Sequence, residues 1–248
     1  MAGVSIIIPA RNEQATIGKT VKIARQALPH AEVIVSDSGS QDETAKKARQ
    51  AGARVVRSRK GKGNAMADGL AASSGGTIVF FDADIKNATP RMLRKLAAPV
   101  TRGKAAAAVG VFESPYPQIF TNTVYWPLAN TFFPEARRIA PLSPLSGQRA
   151  MTRKLALRYP FRNDFGIEAA LNLDWAANGV TPMQVRLGKI NPVFKGNLGS
   201  KEMRLRARQI AAAVVDKARE YGRLDKATLA SIANAASAVA TLKTKRRV

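Results

Sequence analysis

The stretch TIVFFDADIKN, residues 77–87, is a short apolar run that ends in two carboxylates. The four apolar residues 78–81 predict a buried strand, and Asp82 and Asp84 follow it one residue apart. Two like charges so close together repel each other unless a cation lies between them. Because carboxylate oxygens are preferred ligands of Mg²⁺ and Mn²⁺, the stretch predicts a divalent-cation site at the end of a buried strand.

The residues around this stretch alternate apolar runs with amphipathic segments. Strands are predicted at residues 4–10, 32–37, 53–58 and from 77 onward. Helices are predicted at residues 13–28, with Asn12 as cap, 41–51, 64–73 and 90–100, with Thr89 as cap and Pro90 at the first helical position. Four apolar strands separated by helices predict a mostly parallel, Rossmann-like α/β sheet with helices on both faces.

Each predicted strand ends in a polar stretch, and ligands of such sheets bind beyond the carboxyl ends of the strands. These stretches are PARNE (9–13), DSGSQD (37–42), RKGKGN (59–64) and DAD (82–84). Asp37 and Ser38 suit a base or a ribose hydroxyl, and Lys62 between two glycines can bring its ammonium and backbone N–H groups to a phosphate. The rim therefore predicts a nucleotide-diphosphate site. Neither a P-loop pattern nor G-x-G-x-x-G after the first strand is present.

The 248 residues include 40 lysines and arginines against 17 aspartates and glutamates, a formal net charge of +23. The excess is spread evenly, at +8 in residues 1–100, +7 in 101–200 and +8 in 201–248. Such a charge attracts polyanions, so nucleic acid or an acidic membrane surface is the expected partner. The alternative is a charge that serves only solubility.

The chain contains no cysteine, which excludes disulfides and thiolate metal sites, and His30 is its only histidine. The longest apolar run near the start, residues 4–10, is too short to cross a membrane, so no transmembrane segment is expected there. We expect a soluble, cytoplasmic protein, in the host-cell cytoplasm if a phage encodes it.

The order of the motifs resembles glycosyltransferase family 2 and its GT-A fold, and within it the glucosyl-3-phosphoglycerate synthases. The likeness covers about residues 4–190. The segments that carry it are VSIIIPARNEQATIGKTV (4–21), VIVSDSGSQDETAKKARQAGARVV (33–56), GKGNAMADGLAASSGGTIVFFDADI (61–85), NTFFPEARRIAPLSPLSGQRAMTR (130–153) and YPFRNDFGIEAALNLD (159–174).

The resemblance implies a role for particular residues. The implied nucleotide-sugar residues are Pro9, Ala10, Glu13, Asp37, Ser38, Lys62 and Asp82. Asp84 is the implied metal ligand, Gly147 lies where the acceptor loop approaches the donor, and Glu168 binds the transferred sugar; these three are the expected catalytic residues. Similar enzymes retain anomeric configuration, which suggests front-side attack by the acceptor, with a covalent intermediate on Glu168 as the alternative.

The extent of this likeness and the helical patterns that follow it predict a division of the chain. Residues 1–200 form the GT-A domain, with a nucleotide-sugar half at 1–112 and an acceptor half at 113–200. Residues 201–248 form a basic helical extension. Its first helix has an apolar stripe from Met203 to Tyr221 and basic faces that include Lys217, and an alanine-rich helix follows. These helices could pack on the catalytic domain or form a homodimer.

Two positions depart from the family pattern. The family has a metal-ligating histidine after VRLG, whereas this chain reads KINPVF, so Asn191 supplies an oxygen or Asp84 holds the metal with diphosphate and water. The phosphoglycerate-binding members have an arginine and, two residues later, a threonine, where this chain has Ile119 and Thr121. The missing guanidinium removes a charge-assisted contact to an acceptor phosphate.

The segment 114–140 contains six aromatic residues and ends in two arginines. It predicts an acceptor groove that stacks an exposed base, a lipid interface, or rings that simply pack in the core. The expected acceptor-binding residues are Thr121, Trp126, Arg137, Arg138 and Gln148.

The leading interpretation from the sequence is a metal-dependent transfer of a hexose, expected to be glucose, from a UDP-sugar to a hydroxylated base in DNA. Its alternatives are a small phosphorylated acceptor such as phosphoglycerate, a membrane lipid phosphate, or an inactive module that only binds nucleic acid.

Overall fold

A computed structural model of the chain describes residues 3–140, 142–193 and 200–224. They form two compact units. The first comprises Met1–Pro115, Ser146–Asp164 and Pro182–Val193, and the second comprises Tyr116–Leu145, Phe165–Thr181 and the described part of Phe194–Val248. The boundaries predicted from the sequence, 1–112, 113–200 and 201–248, stay a prediction.

The first unit contains one seven-stranded sheet in the order β3-β2-β1-β4-β6-β5-β7. Its strands are β1 (Val4–Ala10), β2 (Glu32–Asp37), β3 (Arg54–Arg57), β4 (Thr77–Phe80), β5 (Ala107–Glu113), β6 (Arg149–Thr152) and β7 (Met183–Lys189). Strands β1 to β4 are parallel, as the alternation of strands and helices predicts, and β7 is parallel to β5. Strand β6 is antiparallel to both of its neighbours. The mixed α/β fold class is confirmed.

Helices cover both faces of this sheet. The helices of the first unit are α1 (Ile17–Ala27), α2 (Thr44–Gln50), α3 (Lys62–Ala72), α4 (Pro90–Thr101) and the short α6 (Arg153–Ala156). Side chains of α1, α2 and α4 join one hydrophobic cluster with Ile6, Ile8 and Val35 of the sheet. Helix α3 packs on the other face, where Gly69 permits a close approach to Ile7, since a Cβ there would lie 2.4 Å from Ile7 Cγ2.

Three predicted helix starts differ from the structure, and one is confirmed. Helix α2 begins at Thr44, three residues after the predicted start at residue 41. Helix α1 begins four residues after residue 13, and Asn12 does not cap it. Asn12 has a φ of +54°, and its side-chain oxygen accepts a hydrogen bond from the Gln41 N–H. Helix α3 begins at Lys62, two residues before the predicted start. Helix α4 starts as predicted, with the Thr89 hydroxyl accepting from the Met92 N–H and Pro90 in the first turn.

The second unit is helical. It contains α5 (Trp126–Phe132), α7 (Ile167–Ala177) and α8 (Lys201–Glu220), with a π-helical turn at Thr121–Tyr125 and a 3₁₀ helix at Pro134–Arg138. The predicted apolar stripe of α8 is largely confirmed, because Ala207, Ile210, Val214 and Ala218 are buried. The predicted alanine-rich helix lies outside the described residues.

The aromatic residues of segment 114–140 belong mostly to the core of this unit. The buried rings are those of Tyr125, Trp126, Phe132 and Phe133, which form one hydrophobic cluster with side chains of α7 and α8. The expected base-stacking groove is therefore wrong for these four rings. They are buried because α5 has apolar residues on the side that faces α8.

Lys217 is not part of a basic surface, as the sequence had suggested, because it is buried against α7. Its Nζ lies 2.7 Å from Asp174 Oδ1 and 2.8 Å from Glu220 Oε2, and the Tyr221 hydroxyl donates to the same Asp174 oxygen at 3.0 Å. Burial raises the pKa of Asp174, although hydrogen bonds from Lys217 and Tyr221 oppose the shift. The second Asp174 oxygen is buried without a hydrogen bond, so Lys217 is the main compensation for this charge.

Among the described residues, we find no helix with the length and apolarity needed to cross a membrane.

Replacing Lys217 tests this buried ion pair. We expect Lys217→Met to lower the free energy of unfolding by about 3 kcal/mol, because it leaves Asp174 as an uncompensated buried charge. Urea denaturation followed by circular dichroism measures the change. The control is Lys201→Met on the exposed first turn of α8, which should change stability by less than about 0.5 kcal/mol. Equal effects of the two substitutions would contradict the assignment.

Candidate active site

Asp82 lies just beyond β4, and both of its carboxylate oxygens have a partner. Lys62 Nζ is 3.0 Å from Asp82 Oδ1, and the Gln148 side-chain N–H donates to Asp82 Oδ2 at 2.6 Å. In return, the Asp82 backbone N–H donates to Gln148 Oε1 at 3.1 Å. Gln148 is only 2% exposed, so its amide has a fixed position. A cation on one side and a buried amide on the other therefore fix the orientation of this carboxylate.

Gly147 lies against the same carboxylate. A Cβ at Gly147 would lie 2.3 Å from Asp82 Oδ2 and 2.6 Å from Oδ1, distances that no side chain tolerates. The turn that contains Gly147 is itself fixed, because Arg149 Nε donates to the Ser146 carbonyl at 2.8 Å and the Gln148 N–H donates to Ser146 Oγ at 3.2 Å. Asp82 can therefore occupy this position only because residue 147 has no side chain.

Lys62 is positioned by glycines, but not in the way that the sequence suggested. A Cβ at Gly61 would lie 2.2 Å from the Asn163 carbonyl oxygen, and one at Gly63 would lie 1.6 Å from that of Arg162. The Gly63 and Asn64 N–H groups donate to the carbonyls of Asp164 and Asn163. The glycine N–H groups of this loop are therefore used within the protein and not by a phosphate, and the contact of the Lys62 ammonium with a phosphate stays a prediction.

The carboxyl ends of β1 and β2 meet as the parallel sheet predicts. Ala10 pairs with Asp37, and the Ser38 N–H donates to the Ala10 carbonyl at 2.9 Å. Ser38 is buried, and its hydroxyl accepts from the Gly61 N–H at 3.1 Å, so it also supports the Lys62 loop. Asp37 Oδ1 accepts from the N–H and the hydroxyl of Ser40 at 2.9 and 2.6 Å.

Pro9 lies in β1 and pairs with Ser36, and the loop after β1, which contains Glu13, is joined to the loop after β2. The Glu13 N–H donates to Thr44 Oγ1 at 2.7 Å, and the Gln14 N–H donates to Asp42 Oδ2 at 3.1 Å. Burial alone would raise the pKa of Asp42, but hydrogen bonds from Thr44 and Gln14 outweigh it and hold the pKa below its usual range. The expected nucleotide-sugar residues of these two loops thus lie side by side on a rigid rim.

Asp84 follows Asp82 on the same segment and lies beside the end of β7. The Val193 N–H donates to the Asp84 carbonyl at 2.8 Å, and Ile85 forms an antiparallel bridge with Pro192. The Asn191 backbone is hydrogen-bonded to Lys86 and Asn87, and Asn191 is exposed. Asn191 thus follows β7 and lies beside residues 86–87, and its assignment as a metal ligand stays a prediction.

Across residues 3–140, 142–193 and 200–224, no three acidic or histidine side chains cluster as a metal site. The side-chain oxygens of Asp84 and Asn191, the predicted ligands, are of the kind that a hard divalent cation prefers, and a cation held by these two residues would have coordination positions left for diphosphate oxygens and water. The donor set therefore fits Mg²⁺ or Mn²⁺ bound together with a nucleotide.

The remaining expected site residues belong to the second unit. Glu168 is 2% exposed in the first turn of α7, and Thr121 and Trp126 are also buried. Arg137 and Arg138 are exposed, and the Arg137 guanidinium stacks on the Trp126 ring at 4.2 Å from its centroid. Buried Trp126 cannot stack an acceptor base, whereas the two arginines can contact an anion.

Comparison with known proteins identifies the family. The model of "Glycosyl transferase family 2" matches residues 5–161, which include Asp82, Asp84, Lys62 and Gly147. The chain belongs to glycosyl transferase family 2. This match contains every expected nucleotide-sugar residue and confirms the resemblance inferred from the motifs.

Several relatives within the family are glucosyl-3-phosphoglycerate synthases. The synthase of Mycobacterium tuberculosis is 33% identical over 196 residues, which cover 69% of this chain and 60% of that protein. The synthase of Petrotoga mobilis is 28% identical, over 90% of this chain and 75% of that protein. The chain thus spans well under the full length of these relatives.

Solved structures give the same likeness. A crystal structure of the M. tuberculosis synthase in complex with Mn²⁺, UDP-glucose and phosphoglyceric acid matches with a TM-score of 0.79 and 30% identity, over 91% of this chain and 81% of that chain. The same synthase in complex with Mn²⁺, UDP and glucosyl-3-phosphoglycerate matches with a TM-score of 0.78. The GT-A fold is confirmed.

Some contacts of the site could not be read from the motifs. The sequence assigned Gln148 to the acceptor, but in the structure its amide holds Asp82. Asn163 and Asp164, which accept from the Lys62 loop, were not identified as part of the rim. For Gln148, the available signal was its place directly after Gly147 in the motif PLSGQ. No local pattern predicts the contacts of Asn163 and Asp164, because they are made by backbone carbonyls, which every residue type has.

Gly147→Ala tests the packing of Asp82. The new methyl group must displace the carboxylate, so we expect the affinity for UDP with Mn²⁺ to fall at least about tenfold, as calorimetry measures it. Gly18→Ala is the control, because its Cβ would meet nothing closer than 4.0 Å, and it should bind UDP as the wild type does. Wild-type affinity in Gly147→Ala would show that the position of Asp82 does not matter for binding.

Proposed function

We propose that this chain transfers glucose from UDP-glucose to a hydroxyl of a small phosphorylated acceptor of the phosphoglycerate type, with Mg²⁺ or Mn²⁺ as cofactor. The observation that carries the proposal is the fixed Asp82 carboxylate between Lys62 and Gln148, next to Asp84 at the carboxyl end of β4. It is supported by a family of relatives among which one synthase has been solved with Mn²⁺, UDP-glucose and phosphoglyceric acid.

Each residue of the rim has a distinct task in this proposal. Asp84 and the Asn191 side chain hold the metal, and a bound divalent cation offsets the charge that develops on the leaving diphosphate. Asp82 accepts hydrogen bonds from the nucleotide and holds the Lys62 ammonium at the site of the diphosphate. When the diphosphate is present, Lys62 is shared between two anions, which orients the leaving group without a proton transfer.

Glu168 binds hydroxyls of the transferred sugar, and the acceptor hydroxyl attacks from the side on which the diphosphate leaves. The diphosphate takes the proton of that hydroxyl, so the protein supplies position and charge rather than a base. Retention of configuration follows from this geometry. Attack by Glu168 itself is the alternative, and trapping of a glycosylated Glu168 by mass spectrometry would distinguish it.

A hydroxylated base in DNA is the second candidate acceptor. The net charge of +23 and the isoleucine at position 119 favour it, whereas the named relatives favour phosphoglycerate. The aromatic segment does not favour DNA, because four of its six rings are buried and cannot stack a base. Transfer to a duplex base would further require extrusion of that base from the stack.

A panel of acceptors tests the proposal directly. Labelled UDP-glucose is incubated with the chain, Mn²⁺ and either 3-phosphoglycerate, hydroxymethylated DNA or a membrane lipid phosphate, and mass spectrometry identifies the product. A glucosylated phosphoglycerate supports the proposed function, and glucosylated DNA supports the second candidate. Transfer to the lipid phosphate alone, or to none of the three, would overturn both.

Asp84→Ala tests the metal-binding carboxylate. We expect the rate of transfer to fall by at least about 100-fold, because the charge of the leaving diphosphate is no longer offset at this position. The measurement is turnover of labelled UDP-glucose with and without a chelator. Asp216→Ala, which removes a half-exposed carboxylate on α8, should retain wild-type turnover. The assignment of Asp84 as a metal ligand is contradicted if Asp84→Ala, and the wild type with chelator, both keep full turnover.

Ile119→Arg tests the acceptor assignment by restoring a guanidinium. A charge-assisted hydrogen bond contributes about 1.5–3 kcal/mol, so we expect the KM for 3-phosphoglycerate to fall about tenfold or more. Asn122→Arg, at an exposed position of the same segment, is the matched control and should change KM little. If both substitutions act alike, the gain reflects general charge and not a specific contact.

A further inference from the structure

A small phosphorylated acceptor does not require a net charge of +23, and part of this excess lies on two helices of the first unit. Helices α1 and α4 pack against each other on one face of the sheet. Together they carry six basic residues and no aspartate or glutamate. We call these residues the α1–α4 basic face: Lys19, Lys22, Arg25, Arg91, Arg94 and Lys95.

The spacing of these residues places them on the outer sides of the two helices. Lys19, Lys22 and Arg25 are three residues apart, and Arg91 precedes Arg94 and Lys95 by three and four residues. All six are exposed, while the apolar stripes of both helices are buried against the sheet. Each helix therefore presents a row of cations with about 5–6 Å between neighbouring positions.

No carboxylate among the described residues forms an ion pair with a cation of the α1–α4 basic face. Lys22, Arg91, Arg94 and Lys95 make no hydrogen bond or ion pair with any described residue. Lys19 and Arg25 donate only to backbone carbonyls, those of Lys86 at 2.8 Å and Gly52 at 3.0 Å. Three other exposed cations of the unit do have acidic partners: Lys46 pairs with Glu43, Arg54 with Glu32 and Arg59 with Asp68.

We propose that the α1–α4 basic face binds the phosphate backbone of duplex nucleic acid without reading its sequence. Neighbouring cations on one helix side repel each other, and a linear array of phosphates removes that repulsion. Arginine, half of the set, matches phosphate oxygens with two parallel N–H groups. The proposal goes beyond the proposed function and holds for either acceptor.

A duplex fits this face better than a membrane surface does. Peripheral membrane helices combine cations with bulky apolar side chains that enter the lipid. The large apolar side chains exposed in the described part of the chain are Leu142, Leu157, Met183 and Leu205, and none of them belongs to α1 or α4. The face thus offers charge alone, which is the footprint of backbone contacts to nucleic acid.

Binding of the full chain to a fluorescein-labelled DNA duplex, followed by anisotropy without donor or metal, tests the proposal. We expect the affinity to fall steeply between about 50 and 200 mM salt. Arg94→Gln/Lys95→Gln should bind about tenfold more weakly and reduce the slope of log K against log salt by about 1.8, since each lost phosphate contact accounts for about 0.9. Thermal melting confirms that the variant is folded.

The matched control is Lys154→Gln/Arg158→Gln, which removes two exposed cations at α6 and should change affinity and slope much less. Asp84→Ala should bind the duplex as the wild type does, so failure of the transferase proposal leaves this result intact. Equal losses in the two double variants would overturn the proposal, as would absence of duplex binding. Binding to phosphatidylserine vesicles without binding to the duplex would also overturn it.

Discussion

The site depends on the way in which the carboxylate of Asp82 is held. Lys62 contacts one oxygen, the Gln148 amide contacts the other, and Gly147 lies so close that a Cβ there would be 2.3 Å from Asp82 Oδ2. These partners come from α3 and from the turn before β6, so a single charged group ties two other segments of the first unit to the end of β4. This arrangement separates the tasks of the two carboxylates of the D-x-D motif. Asp82 is oriented by protein groups, while the adjacent Asp84 segment is hydrogen-bonded to residues 191–193.

The same constraint explains why loops of irregular sequence can form a rigid rim. The Lys62 loop is hydrogen-bonded to the carbonyls of Asn163 and Asp164, and the buried Ser38 hydroxyl accepts from Gly61. Backbone amides that are satisfied in this way do not fray, so the ammonium of Lys62 is positioned before any ligand arrives. Preorganised charge of this kind costs no rearrangement when a diphosphate forms, which is the main contribution that a protein can make to the departure of a leaving group.

Sequence patterns correctly predicted the features that depend on neighbouring residues along the chain. The apolar runs of β1, β2 and β4 and the Thr89–Pro90 helix start follow from burial and capping, and the structure confirms them. Predictions failed where a long-range partner decides the outcome. Asn12 bonds to Gln41 and does not cap α1, and the glycines beside Lys62 serve backbone packing against residues 162–163. The aromatic residues near α5 also looked available for stacking, because nothing in their own segment indicates that α8 covers them. The sequence gives the chemistry of each side chain, but the tertiary structure decides which residue that side chain contacts.

The cations of the first unit fall into two groups that differ in their partners. Cations that serve the site are held by protein acceptors, as Lys62 is by Asp82, whereas those on α1 and α4 have no acidic partner in the described chain. Paired and unpaired cations respond differently to salt, because a partly buried pair is screened less than exposed like charges. Chemistry at the rim and attraction by the α1–α4 basic face are therefore separable properties. A long-range field that falls with ionic strength can concentrate an anionic partner without altering the contacts that orient the donor.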